Sequence, residues 1–426
     1  MRMSKIPRML FADKKGMIYD HPDLEMVGFS QNTPKRITWD DLIPLPPYSK
    51  LFYIPDSLPM GRNPATGEWT TFDRMQGKKG SPPCYAVAAF ICPGYIRSYL
   101  PAADYSRRKD TLPLWAYSAV GFANGQYYVP AVLIEENEHW NPANFDDQEM
   151  VPFLEEYLEQ KKENRLVKHL SKCAVDNHCF AAKNLFLKRW EAPLPVSRRC
   201  NARCLGCISL QPKGTCAPSH QRIAFLPNVE EIVEIAVPHL EQAEDPIVSF
   251  GQGCEGEPLT ETDLIVESIR EIRRKTSKGV INLNTNGSYP GRVDAICKAG
   301  LNSIRVSLSS ARETLYHRYY RPTDYQFEDV LQSLRVAKTH GIFTMINYLV
   351  FPGISDQPSE IDALRNVIDT TKPSFIHMKN LNIDPQLYIE KMEVQEEEGI
   401  GMQKMIGILQ EEFPHVRLGY FNQSRI

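Results

Sequence analysis

A chain of 426 residues exceeds what one hydrophobic core usually organises, so two domains are the better expectation. Hydrophobic residues make up 42% and charged residues 24%, as in ordinary soluble proteins, and a formal net charge of -3 favours no polyanionic partner, so nucleic-acid binding is not predicted. The longest apolar stretch, Cys84 to Ile96, is broken by Pro93-Gly94 and falls short of the roughly 20 residues a membrane helix needs; no apolar run follows the basic Met1 to Arg8, so a cytoplasmic protein without membrane attachment is expected.

Residues 1 to about 80 are rich in proline and polar turns, such as Pro44-Leu-Pro-Pro47 and Gly61-Arg-Asn-Pro64, and read as loops and short strands. Next comes a hairpin signal: Leu114 to Phe122, then Asn124-Gly125, then Gln126 to Val129, with Asn-Gly supplying the positive φ of a tight turn. Tyr85 to Ile91 adds another strand, and Pro130 predicts an edge or bulge. From Asp147 to Lys172 the pairs Phe153/Tyr157 and Leu154/Leu158, set among Glu and Lys, predict helix.

After Trp190 short apolar runs alternate with amphipathic helices, which predicts repeated βα units and a parallel sheet. Strands are expected at Leu194 to Arg198, Ile247 to Phe250, Val280 to Leu283, Ile304 to Leu308, Thr344 to Val350 and Phe375 to Met378. One helical face runs through Val229, Ile232, Val233, Ala236 and Leu240, opened by a capping box of Asn228 and Glu231. Another runs through Phe327, Val330, Leu331, Leu334 and Ala337 and stops at Gly341. The expected fold is α/β, a partial (β/α)6 TIM-like barrel with an N-terminal β-rich accessory domain. Its expected divisions are residues 1–146 (β-rich), 147–189 (helical connector), 190–380 (barrel) and 381–426 (C-terminal helical segment). Chemistry in such folds gathers where strands end and loops begin.

Ten cysteines are too sparse for a disulfide framework, but three fall within eight residues, in Cys200-Asn-Ala-Arg-Cys204-Leu-Gly-Cys207. Thiolates bind soft metals and iron–sulfur clusters, and spacings of three and two let one loop wrap one cluster edge. Three ligands leave one iron of a four-iron cubane open. The competing readings are a structural zinc completed by Cys216 or His220, and a non-catalytic module whose cluster or zinc holds a scaffold together or whose cluster passes single electrons.

The segment from about Pro193 to Lys379 resembles the radical S-adenosylmethionine (radical SAM) superfamily, nearest in style to the molybdenum-cofactor biosynthesis protein A type. The resemblance implies a [4Fe–4S] cluster on Cys200, Cys204 and Cys207 whose open iron chelates S-adenosylmethionine. Reductive cleavage then gives methionine and a 5′-deoxyadenosyl radical that takes hydrogen from a substrate, either a small metabolite or a peptide or protein side chain. Radical methyl transfer from the same cofactor is a further alternative. Gly206 stands where the family often has an aromatic residue, leaving a backbone contact to the adenine.

Other positions match the family's SAM-binding elements. Gly256-Glu257-Pro258 matches a GEP element, with glycine allowing close approach and the carboxylate accepting an ammonium, although the same tripeptide is also a common helix start. Asn284 and Asn286 end the third strand and Ser307 and Ser309 the fourth; these amides and hydroxyls suit polar cofactor groups, and equally build turns. Asn347 and Met378 fall where the family often completes the site, while a strand methionine is ordinarily core. Arg318 and Arg321 could grip a carboxylate. Arg198, Arg199 and Arg203 flank the cluster loop, where positive charge would attract an acidic electron donor of flavodoxin or ferredoxin type. Cys173, Cys179 and Cys216 could hold a second cluster, and Cys254 reads as a buried small hydrophobe. The hairpin aromatics Trp115, Tyr117, Tyr127 and Tyr128 are expected either to touch substrate or to form their own module's core.

Overall fold

The structure is a computed structural model that describes residues 6–74, 82–394 and 397–424; the basic residues 1–5 lie outside these. It divides into two compact units, one of Met1–Glu135, Val350–Asp362 and Met378–Pro414, the other of Glu136–Leu349, Ala363–His377 and His415–Ile426.

The first unit is mainly antiparallel sheet. Its central strand, Arg8–Ala12, pairs with Ile18–Glu25, Tyr85–Phe90 and Gly121–Ala123. Asn124 and Gly125 adopt φ of 52° and 79°, and Gly121–Ala123 folds back on Gln126–Leu133 as the Asn-Gly signal predicts. The first strand of this hairpin is shorter than expected. Pro130 lies inside the second strand, where pairing passes from Leu42 to the strand Tyr95–Arg97. Leu10, Val87, Ala89, Val120 and Val129 form a core against which Tyr127 and Phe122 pack. Tyr117 is fully buried and donates to Pro113 O, so Tyr117 and Tyr127 serve the module's core. In the same unit Arg108 clamps Asp384 bidentately (2.6 and 2.9 Å), fixing the start of the helix Pro385–Met392.

The second unit carries most of a seven-stranded sheet: Arg189–Pro193, Glu244–Phe250, Val280–Thr285, Ser303–Leu308, Phe343–Val350, Phe375–Asn380 and Arg417–Gly419, adjacent in that order. Pairing is parallel from the first strand through the fifth and between the sixth and seventh. This is an α/β fold with a partial-barrel sheet. The first strand precedes the expected Leu194 to Arg198: Leu194 still donates to Ser249 O (2.8 Å), but Pro193 and Pro195 have no N–H to extend the ladder. The seventh strand was not expected, because three residues leave no periodicity to read.

Helices α1 (Asp147–Gln160), α2 (Arg165–Val175) and α3 (Phe180–Phe186) precede the sheet. The predicted helix of 147–172 is broken by Asn164, whose side chain caps α2. Between strands run α4 (Val229–Gln242), α5 (Thr262–Lys275), α6 (Pro290–Gly300), α7 (Glu313–Tyr320) and α8 (Phe327–Thr339). The Asn228/Glu231 capping box opens α4, and Ile232, Val233, Ala236 and Leu240 are buried while Val229 is half-buried. All five predicted apolar positions of α8 are buried.

Candidate functional site

The long loop after the first strand carries the cysteine triplet, and neighbouring strand ends hold it. Gly256 N donates to Ser197 O (2.7 Å) and Glu257 N to Arg199 O (2.8 Å). Gly256 is required there by space: a Cβ would sit 1.9 Å from Arg199 O. On the other side, Arg203 N and Leu205 N donate to Tyr320 O and Tyr319 O at the end of α7 (2.9 and 3.0 Å). Asn201 is the inner anchor. Its amide donates to Asp324 (2.9 Å), accepts from Asn286 Nδ2 (2.8 Å), and its carbonyl takes Thr323 N (3.0 Å). Arg321, in left-handed backbone at the end of α7, donates to Arg203 O and so braces the loop's backbone.

Burial pushes the Cys200 thiol up to about 11, with the Glu257 charge adding to it, and burial first, then the neighbouring cysteines, lifts Cys204 well above its ordinary value. Thiols this reluctant to ionise become thiolates only against a cationic partner. Arg222 supplies part of that charge, donating to Cys207 Sγ (3.6 Å) and to Ser209 Oγ. A single tetrahedral zinc with bonds of about 2.3 Å needs sulfurs about 3.8 Å apart. The three Sγ atoms do not form a group within 4.8 Å of one another. Three thiols of one loop, with Arg222 beside Cys207, suit a cluster in which each sulfur holds a different iron.

Two carboxylates of the glycine-rich loop are buried. Glu255 accepts from Val196 N and Ser197 N (2.8 and 2.9 Å) and from Gly251 N and Gln252 N, binding the cysteine loop to its own turn. Glu257 accepts from Leu259 N (3.0 Å), Asn286 N (2.8 Å) and the Thr285 hydroxyl. Burial pushes both up to about 7 against these hydrogen bonds. Glu257 thus ties the second strand's loop to the end of the third, with little acceptor capacity left over.

The remaining predicted residues divide by environment. Asn284 donates to Phe250 O and accepts from Asn282; Asn286 spans Asn201 and Ser288 N. Ser307 and Asn347 are register partners on the fourth and fifth strands, so they share a face. Ser309 Oγ and Asn347 Oδ1 are buried without hydrogen-bond partners. Buried orphan acceptors, one within the fifth strand and one just past the end of the fourth, are what a polar cofactor would satisfy. Gly206 is half-buried in the turn before Cys207, and Met378 is fully buried on the sixth strand, in the segment assigned to the first unit.

Sequence reasoning missed the polar groups on the sheet's inner rows. Glu191 accepts from Ser249, Gln252 and Asn422, and Asn282 links Ser249 to Ser303. Arg305 is Asn284's register partner and donates to Asn422 Oδ1 (3.2 Å); burial lowers its pKa, while Glu191 opposes that shift. Alternation of polar with apolar residues in Val280–Thr285 and Ser303–Leu308 was the available signal.

Residues 194–364 match the family model described as the Radical SAM superfamily. Among curated proteins, none matches the chain. Among solved structures it is similar to HydG, a maturase of the [FeFe]-hydrogenase (16% identity over 64% of this chain and 66% of that one, TM-score 0.38). It is also similar to a radical SAM methyltransferase from Sphaerobacter thermophilus (13%, 56% and 68%, TM-score 0.40) and to Streptococcus suis SuiB bound to precursor peptide SuiA (12%, 57% and 53%, TM-score 0.39). The chain spans between about half and two thirds of these proteins' lengths.

Proposed function

We propose that residues 194–364, which match the Radical SAM superfamily model, form a radical SAM domain whose cofactors are a [4Fe–4S] cluster and S-adenosylmethionine. Cys200, Cys204 and Cys207 hold the cluster, and the fourth iron is left for the cofactor. When bound, the pair supplies one chemistry, reductive cleavage of the sulfonium to a 5′-deoxyadenosyl radical that removes hydrogen from a substrate.

The protein's own part is to position and to exclude. Asn201, bonded to Asp324, Thr323 and Asn286, fixes the loop against the third strand's end. Arg222 beside Cys207 stabilises added negative charge on the sulfurs and favours electron gain. Ser309 and Asn347, each with an unmet acceptor, are positioned to receive the cofactor's polar groups together with Ser307, Asn284 and the Gly206 backbone. The substrate would meet the inner rows, where Glu191 and Arg305 favour a small polar or charged molecule or side chain over an apolar one. Arg198, Arg199 and Arg203 are exposed around the cluster loop, near exposed Ile208 and Leu210, which supports docking of an acidic flavodoxin- or ferredoxin-type donor. No helix among the described residues is long and apolar enough to cross a membrane. Free cysteines at all ten positions suit a reducing, cytoplasmic setting.

The observation carrying this reading is the three-thiol loop, followed at the next strand by a glycine packed on its backbone. Anaerobically reconstituted protein given S-adenosylmethionine and a strong reductant is expected to release 5′-deoxyadenosine, and Cys204→Ala is not. Equal release from both would overturn the reading, and S-adenosylhomocysteine as the main product would favour methyl transfer.

A further inference from the structure

A second sulfur–imidazole cluster stands apart from the cysteine triplet. His169 and Cys173, four residues apart, share one face of α2, and Cys173 Sγ lies 3.7 Å from His169 Nε2. The glycine-rich loop brings Cys254 to them: the ligand atoms of His169, Cys173 and Cys254 all lie within 4.8 Å of one another. Both sulfurs are buried, at 2% and 3% exposure. His220 stands beside this group. Its Nδ1 is buried with no hydrogen-bond partner, and a Cβ on Gly253, the neighbour of Cys254, would lie 3.7 Å from it. Backbone bonds fix the approach, from His220 N to Ile208 O (2.9 Å) and from Ile223 N to Cys254 O (2.8 Å).

We propose that His169, Cys173, Cys254 and His220 form a second, mononuclear metal site of the zinc class. Two thiolates and two imidazoles are a closed tetrahedral donor set, with bonds of about 2.3 Å to sulfur and about 2.0–2.1 Å to nitrogen. Ligand atoms around such an ion stand roughly 3.3–3.8 Å apart, so the His169, Cys173 and Cys254 atoms close on it by small side-chain adjustments, and the unpartnered His220 ring turns in as the fourth ligand. Metal binding would take both sulfurs as thiolates, releasing their protons.

The donors come from α2, the arm downstream of Cys207 and the loop that carries Glu255 and Gly256. A closed site there is structural: it staples the two segments that hold the cysteine triplet to a helix preceding the sheet. Cys254, read from sequence as a small hydrophobe, becomes a ligand because folding brings it to Cys173. The site differs from the Cys173, Cys179 and Cys216 set that sequence proximity pointed to, and it does not depend on radical chemistry.

The test is metal content of the full-length chain purified anaerobically. About one zinc is expected beside about four irons. Cys254→Ser and His169→Gln should lower zinc at least fivefold while iron stays, and the triple variant Cys200→Ala, Cys204→Ala, Cys207→Ala should lose iron and keep zinc. Should Cys254→Ser fail to fold, cobalt-substituted wild-type protein should show thiolate-to-cobalt charge transfer and intense tetrahedral d–d bands. The proposal is overturned by a wild-type chain that takes up no zinc, by zinc kept in both ligand variants, by iron in its place, by a Cys173–Cys254 disulfide, or by a cobalt spectrum without thiolate bands.

Discussion

Replacing Gly256 by alanine tests how the cluster loop is held. The added Cβ would sit 1.9 Å from Arg199 O and 2.6 Å from Arg199 C, both backbone atoms that cannot rotate away. The φ of Gly256 is not in the left-handed range, so the conflict is one of space alone. Relief requires the segment before Cys200 to move by more than about 1 Å, at a cost of about 1–3 kcal/mol for overpacking. The same movement stretches the bonds from Gly256 N to Ser197 O and from Glu257 N to Arg199 O, each worth about 1 kcal/mol. A total of roughly 3–5 kcal/mol corresponds to a melting decrease on the order of 10 °C for a unit of this size. Iron retained after anaerobic reconstitution and desalting should fall below about half, and 5′-deoxyadenosine release at least tenfold, since about 1.4 kcal/mol is already a factor of ten. Gly256→Ala protein that melts within about 2 °C of wild type and keeps its iron and cleavage rate would refute the reasoning.

Ser309→Ala and Asn347→Ala should each weaken S-adenosylmethionine binding about five- to tenfold by equilibrium dialysis, without lowering the melting temperature, because each removes an orphaned buried group. A melting decrease of several degrees with unchanged binding would assign them to structure. Asn286→Ala loses the bonds to Asn201 and Ser288 N, so unfolding free energy should drop about 1–2 kcal/mol and iron occupancy should fall with it. For pH, burial lowers His239 from 6.5 to about 4, with Nε2 held at Trp190 O (2.7 Å). The unfolded chain therefore binds more protons in that window: the contribution of neutral His239 is complete above about pH 6.5 and is lost as pH falls towards 4. Between pH 6.5 and 4.5 wild type should lose roughly 2–3 kcal/mol more than His239→Gln in denaturant titrations. Glu255 and Glu257 act with the opposite sign but cancel in that difference, and parallel pH profiles would contradict the assignment.

Much of the parallel sheet was legible because its strands are buried apolar runs that end in turn residues. The second to fifth strands lie within a few residues of expectation, as do the Asn228 capping box and the Gly341 stop. The cysteine loop was legible because its three thiols are local, within eight residues of one loop. What escaped was non-local or too short for a pattern. The first strand was displaced because Leu194 to Val196 look as apolar as Trp190 to Pro193, and only the missing N–H groups of Pro193 and Pro195 decide between them. Arg417–Gly419 becomes a strand through the neighbour it meets. Glu255 drew no attention in the sequence, yet it is buried on four backbone N–H groups drawn from two loops. Cys173 reads beside Cys179, while its sulfur lies with that of Cys254, far along the chain.

The central claim is that three sulfurs leave one cluster iron open to S-adenosylmethionine. Electron paramagnetic resonance of the reduced protein tests it most directly. A reduced [4Fe–4S] signal whose g-values shift on adding S-adenosylmethionine, and which Cys204→Ala lacks, is the result the account predicts. A signal indifferent to the cofactor, or a chain holding only colourless metal at these cysteines, would contradict it.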